Sequence, residues 1–368
     1  MLQPERWRHF DFWLLGAVVL ALVFGVAMIR SAIGCNISLA GLVQRQTIFA
    51  ALGFAVIVIV ALIDYRFWGG AIIPMYAVIV IFLGVLYLTA GQRFGAARWI
   101  ETGLVSIQPT ELAKIVVILS LASFFSRNMN LPHTWGWLIK SLLIAVGIAG
   151  LIFIQPNLSN VIVIVVIWAL MAWVSGLELK QVAILAVVGL ALGIVAFFFF
   201  LQPYQQARVT TFLFPDPNAR HGAIYNVTQA LIALGSGGLT GKGWGQGPQT
   251  QQCFMKVRHT DFIFSVIGEE FGFVGALLVV IMLGFIIIRC LRAARLARDS
   301  FGSLIAYGVA ILIFFQGAVN IAVNLNLMPV SGLPLPFISQ GGSGLLSLMF
   351  GIGLVESVIV RHKSLEFA

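Results

Sequence analysis

The chain has 368 residues, 60% of them hydrophobic and only 10% charged, with a mean hydropathy of +1.02. No soluble protein of this size hides so much apolar side chain, because surface area grows too fast with size, so the sequence describes a polytopic membrane protein. The formal charge of +9, from 22 Lys and Arg against 13 Asp and Glu, does not call for a nucleic acid partner, because the basic residues sit between apolar runs where topology explains them.

A window of about 19 residues predicts about ten spans, near residues 12–33, 45–63, 70–90, 105–125, 136–154, 158–175, 179–201, 262–288, 302–326 and 336–360. Each is long enough to cross about 30 Å of hydrocarbon. The expected fold class is therefore all-α, a single integral membrane domain of about ten transmembrane helices. The fourth span is the weakest, since Glu111 and Lys114 sit inside it, and the sixth starts late, after the polar Gln155-Pro156-Asn157. An even count puts both termini on one side. Arg6 and Arg8, then Arg289, Arg292, Arg295 and Arg298, then Arg361 and Lys363 all fall on that side, and the positive-inside rule makes it cytoplasmic. The N-terminal apolar run is long and no small-residue cleavage site follows it, so it is expected to remain as the first membrane helix.

This topology leaves residues 202–260 as a large extracytoplasmic loop between helices 7 and 8. The loop holds Pro203, Pro215, Pro217 and Pro248, and eight glycines between Gly222 and Gly247. In the stretch from Ala223 to Leu234, residues Ile224, Val227, Leu231 and Leu234 share one face. That pattern predicts an amphipathic helix lying at the membrane surface, and hence an ordered loop and not a linker. Of the three cysteines, Cys35 and Cys253 fall outside, where pairing is open to them, and Cys290 falls inside; all three read as ordinary small apolar residues. No metal-ligand spacing is present. The glycine-rich run Gly235 to Gly243 lacks the spacing of a phosphate-binding loop. With no ATP site visible, a reaction must draw on its substrate or on a gradient.

Residues with chemistry to offer cluster on the outer side. Gly95-Ala96-Ala97-Arg98-Trp99-Ile100 precedes Gln108-Pro109-Thr110-Glu111-Leu112-Ala113-Lys114. Pro109 and Thr110 suit a helix start with Glu111 in its first turn. Glu111 and Lys114 are three apart and able to pair, either to let two charges enter the bilayer together or to meet a substrate. Val257-Arg258-His259-Thr260-Asp261-Phe262-Ile263-Phe264 sets a carboxylate at the mouth of an apolar stretch reaching about Ile288. An acid there is costly to desolvate and points to function; the alternative is an acid favoured by a helix N-terminus. At about 100° per residue, Gly268, Gly272 and Gly275 lie within roughly 40° of Asp261, Glu269 about 80° away and Glu270 about 180° away. A glycine stripe admits a neighbouring helix, so Asp261 is expected to face the bundle, with Glu269 and Glu270 either structural or supporting the site from behind. Arg208, Arg220, Lys242, Lys256 and Arg258 run against the charge bias of an outer loop. They suit either the phosphates of a lipid carrier or anionic headgroups.

His259-Thr260-Asp261-Phe262-Ile263-Phe264 with Gly268-Glu269-Glu270 resembles the signature of the SEDS (shape, elongation, division and sporulation) family. So do Tyr225-Asn226, Ala233-Leu234-Gly235-Ser236-Gly237-Gly238, Gly241-Lys242-Gly243, Gln108 to Lys114, and Pro329 to Ser339. The match runs in order over about residues 10–362, with Tyr225-Asn226, Gly241-Lys242-Gly243 and Gln249-Thr250-Gln251 closer to the RodA branch than to FtsW. The resemblance implies a membrane glycosyltransferase that polymerises lipid II into a growing peptidoglycan glycan strand beside a class B penicillin-binding protein. It implies Asp261 as the essential acid and Glu111 and Lys114 as motif residues. Arg98, Arg208, Lys242, Arg258, His259 and Ser339 complete the candidate substrate-binding set. No cofactor is required by the sequence, with a divalent cation (Mg or Mn) as an optional participant. Three stretches depart from the family pattern: an amide, Asn157, stands where an acid is usual, Gln340 stands where a tyrosine is usual, and Lys256-Val257-Arg258 before His259 is more basic than usual. Competing readings are a lipid II flippase, a division-type polymerase, and a scaffold for the penicillin-binding partner.

Overall fold

The computed structural model describes residues 9–34, 36–90, 100–101, 106–129, 134–215 and 222–362. Long apolar runs become helices, because lipid leaves backbone N–H and C=O groups no partner except their own segment. In chain order these are α1 (Phe12–Ala32), α2 (Gly41–Leu62), a short α3 (Tyr65–Gly70), α4 (Ile72–Ala90), α5 (Pro109–Arg127), α6 (Trp135–Ile154), α7 (Leu158–Val174) and α8 (Leu179–Phe199). After α9 (Pro203–Leu213), α10 (Ala223–Gly237) and α11 (Pro248–Gln251) come α12 (Ile263–Leu296), α13 (Ser300–Asn324) and α14 (Gly342–Val360). Among the described residues, eight helices are long and apolar enough to cross a membrane, and Ile72–Leu88 and Leu158–Val174 are shorter apolar helices. The only strands described, β1 (Ile100–Glu101) and β2 (Ser106–Ile107), pair antiparallel just before α5.

Local chemistry sets the ends. Pro109 opens α5 with Glu111 in the first turn, where a missing N–H and a negative charge are both favourable. Asp11 caps α1, accepting from the N–H groups of Trp13 and Leu14 at 3.2 and 3.1 Å. α14, which fills the tenth expected span, starts at Gly342, later than hydropathy suggests, because Pro329 to Gly341 carries prolines and forms extended chain and turns. α5, α13 and α14 are the most enclosed of the spanning helices, whereas α8 has no buried residue in its most apolar window. At the end away from Asp261, Arg289 pairs with Asp11, whose N–H donates to Glu356 Oε2 at 3.1 Å. Arg66 pairs with Asp299 at 2.8 Å on the same end.

The sequence pattern did not announce that α12 is two helices. Gly272 has φ 65° and ψ −161°, a conformation that only glycine adopts readily. The groups released by the break are capped by the glycine-rich segment after α10. The N–H groups of Lys242 and Gly243 donate to the carbonyls of Glu269 and Glu270, both at 2.9 Å. In return, Phe273 and Val274 donate to the carbonyls of Gly238 and Leu239 at 2.8 and 3.2 Å. A Cβ on Gly241 would lie 2.1 Å from the Glu270 carbonyl oxygen, and one on Gly237 1.9 Å from that of Gly268. The glycines therefore serve close backbone approach, and the element that approaches is α10.

The buried side of α10 is Val227, Ala230 and Ala233, with Leu234 against Gly268. Leu231, expected on the same face as Val227, is exposed, so the contact face is rotated toward the alanines, which let the helix sit close. Cys253 is disulfide-bonded, which corrects the reading of all three cysteines as plain apolar residues. Cys290 is free and buried. Cys35 lies outside the described residues, as do Arg98 and Arg220.

Candidate active site

Asp261 precedes α12. It sits in a tight turn in which the N–H groups of Thr260, Asp261 and Phe262 all point to the carbonyl of Val257, at 3.3, 3.1 and 3.4 Å. The helical-wheel placement of Asp261 over the glycine stripe is thus corrected: Gly268 meets Leu234 of α10 and Gly272 the segment after it, and other groups hold Asp261. Asn320 and Asn324, buried one turn apart on α13, donate their side-chain amides to the Asp261 carbonyl at 3.0 and 2.9 Å. Asn320 also donates to the Leu333 carbonyl at 2.8 Å. The Ser339 hydroxyl donates to the Thr260 carbonyl at 2.6 Å, and the Gln340 N–H to that of His259 at 3.0 Å.

The carboxylate side of this turn faces a cavity of about 480 Å³. Gln108 and Glu111 at the start of α5, Asn157 and Asn160 at the start of α7, Arg208 of α9 and Gln340 line it. Gly332 has φ 74° and no side chain to intrude; its Cβ would sit 4.0 Å from Asp261 Oδ2. Burial pushes the Asp261 carboxyl up to about 6, against the downward pull of the Arg208 guanidinium and of a hydrogen bond with the Thr260 side chain. Such a carboxyl is ionised at neutral pH yet more basic than a solvated one, which is what proton abstraction needs.

The other candidates divide. Glu111 and Lys114 form a buried ion pair at 2.7 Å, with Glu111 on the cavity wall. Arg208 lines the cavity too, its Nη1 donating to the Val330 carbonyl at 3.3 Å and its guanidinium 5.8 Å from the Tyr204 ring centroid. Arg258 turns away from the cavity. It is 3% exposed and donates to the carbonyls of Ala32 and Met255 and to the sulfur of Cys253, so it staples the loop to α1 and its expected phosphate role is corrected. Ser339 is corrected likewise: it is buried, and its hydroxyl also accepts from the Leu335 N–H at 2.9 Å. His259 is half-buried, its imidazole pushed down first by burial and then by Arg258. Lys242 is exposed, its N–H used at the α12 break. Neither His259 nor Lys242 lines the cavity.

Glu269 and Glu270 are structural. Glu269 accepts from the N–H of Gln249 at 2.7 Å and from the N–H and hydroxyl of Thr250 at 3.0 and 2.6 Å, which holds α11. Glu270 accepts from the Ser31 hydroxyl. Asn320 and Asn324 were not singled out by sequence reasoning. Their signal is two amides four apart in an apolar span, where a polar residue needs a reason. Glu111 is paired with Lys114, and among the described residues no three His, Cys, Asp or Glu converge.

Residues 12–364 match the family model FTSW_RODA_SPOVE, described as cell cycle protein. The chain is 35% identical to the peptidoglycan glycosyltransferase MrdB of Escherichia coli K12, over 97% of this chain and 95% of that one. It is 31% identical to the probable peptidoglycan glycosyltransferase FtsW of Trichlorobacter lovleyi, over 98% and 96%. Its fold is similar, with a TM-score of 0.79 and 28% identity over 95% of this chain and 97% of the other, to a chain of a structure described as the structural coordination of polymerization and crosslinking by a peptidoglycan synthase complex. The crystal structure of the Thermus thermophilus rod shape determining protein RodA gives a TM-score of 0.70 at 27% identity, over 95% and 96%. A hydropathy pattern of about ten spans, a polar cavity around Asp261, and a family model that covers nearly the whole length agree: the chain belongs to the FtsW/RodA/SpoVE family.

Proposed function

We propose that this protein is a peptidoglycan glycosyltransferase that polymerises lipid II into β-1,4 glycan strands, with Asp261 as general base. The observation that carries the mechanism is a basic carboxyl at the wall of a polar cavity that also holds a guanidinium. Asp261 takes the proton of the acceptor's sugar 4-hydroxyl, and that oxygen forms a bond to the donor's anomeric carbon. The anomeric carbon–oxygen bond breaks from the opposite face with inversion, and its electron pair leaves on undecaprenyl pyrophosphate. The energy is stored in the donor, so no ATP is consumed. Arg208 meets the charge that grows on the leaving pyrophosphate, which is where a preorganised cation lowers a barrier most.

The family and the charge asymmetry support a bacterial cytoplasmic membrane location with both termini cytoplasmic and the cavity on the outer side. The similarity to MrdB and RodA supports an elongation role; a division-type role is the alternative that the FtsW relatives keep open. The similarity to a chain of a peptidoglycan synthase complex supports a class B penicillin-binding protein as partner. Transport of lipid II draws support from the break in α12, since broken helices mark many transporter sites. Here the freed backbone groups are capped by the chain itself, which favours a static site at one end of the bundle.

The test is a lipid II polymerisation assay on detergent-solubilised protein, with and without the cognate partner, comparing wild type with Asp261→Ala. Glycan ladders lost only in the variant support the reading. No ladders under any partner or metal condition shift the function to transport or scaffolding, and equal ladders remove Asp261 as base.

A further inference from the structure

Three helices begin at the Asp261 cavity: α5, with Gln108 and Glu111 on its wall, α7, with Asn157, Ser159 and Asn160, and α14, with Gly342 and Gly344. Each helix start presents N–H groups that have no partner in their own helix, and each carries about half a positive charge. At α5 and α14 that charge is already met. Glu111 stands in the first turn of α5, and a Cβ on Gly344 would lie 3.2 Å from Glu111 Oε2, so one carboxylate serves both ends. α7 has no acidic residue in its first turn.

The N-cap of α7 is Asn157, a residue type that caps well, yet its side chain makes no capping bond. It is 7% exposed, and among the described residues its amide has no hydrogen-bond partner. The N–H groups of Leu158, Ser159 and Asn160 have no acceptor among them either. Asn157, Ser159 and Arg208 lie on the wall that the Asp261 cavity shares with a smaller one of about 130 Å³, and among the described residues no carboxylate lines the smaller one. Arg208 is held there because α9 is moored to the start of α7. The Tyr204 hydroxyl and the Gln205 side-chain amide donate to the Pro156 carbonyl at 2.7 and 3.3 Å. The bond from Arg208 to Val330 uses one of the five guanidinium donors.

Resting on the glycosyltransferase reading, we propose that the uncapped start of α7, the Asn157 amide and the Arg208 guanidinium together seat the donor's pyrophosphate, which leaves Asp261 in the larger cavity to the acceptor hydroxyl. The donor groups match the ligand. A pyrophosphate offers acceptor oxygens on two phosphorus atoms. A helix start holds one phosphate through backbone N–H groups, and an arginine fork holds another through parallel bonds. Arg208 by itself answers one of the two negative charges, and α7 answers the rest. The amide at position 157 matters for this. A carboxylate there would cap the N–H groups itself and repel an anion. The side chain that departs from the family pattern at this position thereby acquires a role in holding the leaving group.

The experiment titrates full-length protein in neutral detergent with farnesyl pyrophosphate, and with farnesol as the uncharged control, by calorimetry. Asn157→Asp should weaken farnesyl pyrophosphate binding about tenfold, the size of reversing one interaction at a helix start, and Asn157→Ala should weaken it less. Farnesol binding should change in neither. Asn157→Asp should melt no earlier than wild type, since the new side chain caps α7, which separates lost binding from lost folding. Lys242→Gln removes a cation outside the cavity and should bind as wild type does. Wild-type affinity in Asn157→Asp, a loss as large in Asn157→Ala as in Asn157→Asp, or a matching loss in Lys242→Gln overturns the proposal. Phosphatidylglycerol that competes at equal affinity and weakens equally in Asn157→Asp also overturns it, giving the seat to a membrane headgroup. Binding that follows these variants in a protein that polymerises no lipid II keeps the anion site and overturns the glycosyltransferase reading, a separate outcome.

Discussion

The side-chain amide of Asn324 donates to the backbone carbonyl of Asp261 at 2.9 Å, while its Oδ1 accepts from the N–H and hydroxyl of Ser265 at 3.0 and 2.6 Å. One buried side chain thereby ties the turn carrying the acid to the first residues of α12. Replacing it with leucine strands the Ser265 hydroxyl, a loss of about 1–3 kcal/mol when buried and unmet, and leaves the Asp261 carbonyl to Asn320 alone. Asn324→Leu should melt earlier than wild type and lose kcat with little change in KM, because the base shifts while the cavity walls stay. A variant with unchanged kcat would show that Asn324 serves only the helix junction.

The Asp261 carboxyl gives a signed pH prediction. Its folded value of about 6 lies above the ordinary 3.8, so the charged form is disfavoured by folding. The folded state is least favoured by this group above pH 6 and regains stability as pH falls toward 4. Asp261→Asn should therefore melt higher than wild type at pH 7, by up to ~3 kcal/mol, with the gap closing near pH 4, while polymerisation disappears. The wild-type rate should climb through about pH 6 to a plateau. Arg208 holds the carboxyl down, so Arg208→Gln should move that limb to higher pH and lower the plateau. A limb that stays in place in Arg208→Gln would separate the guanidinium from the acid.

Gly272 and Gly284 both lie within α12, one at its break and one beyond it, and should answer alanine differently. At Gly272, with φ 65°, a Cβ would sit 2.4 Å from the Gly241 nitrogen; at Gly284 nothing lies within 4 Å. Gly272→Ala should destabilise by about 2 kcal/mol or more, through strain and a displaced cap. Gly284→Ala should stay within about 0.5 kcal/mol of wild type. Thermal melts of the solubilised protein decide it, and equal melts would mean that the break at Gly272 is not maintained.

Glu111 and Lys114 separate their two readings through a double variant. Breaking a buried pair from one side leaves an uncompensated charge, a loss of about 3–5 kcal/mol. Glu111→Gln and Lys114→Met alone should each melt much earlier, and the double variant should recover most of that. If the pair also meets substrate, the double variant stays inactive although folded; recovered activity would make the pair purely structural.

Much of the architecture was legible because membrane insertion reads segments one at a time. The start of α5 at Pro109 followed from residue type and spacing alone. The helical wheel of α12 failed because it assumed one unbroken helix beginning before Asp261, whereas the helix begins at Ile263 and breaks at Gly272. The glycines were visible, but a close-packed partner and a left-handed break leave the same letter in the sequence. Arg258 and Lys242 looked alike as outer-loop cations, and only packing shows one buried against α1 and the other exposed.

By itself the sequence determined a polytopic helical protein and the family signature around Asp261, because apolar length and charge placement act within each segment. Only the tertiary structure decided which side chains reach the acid. Asn320 and Asn324 meet Asp261 across 59 and 63 residues of chain, and Arg208 meets it from a separate helix of the loop. Contacts at such separations depend on how helices pack, and no period within a single segment encodes them.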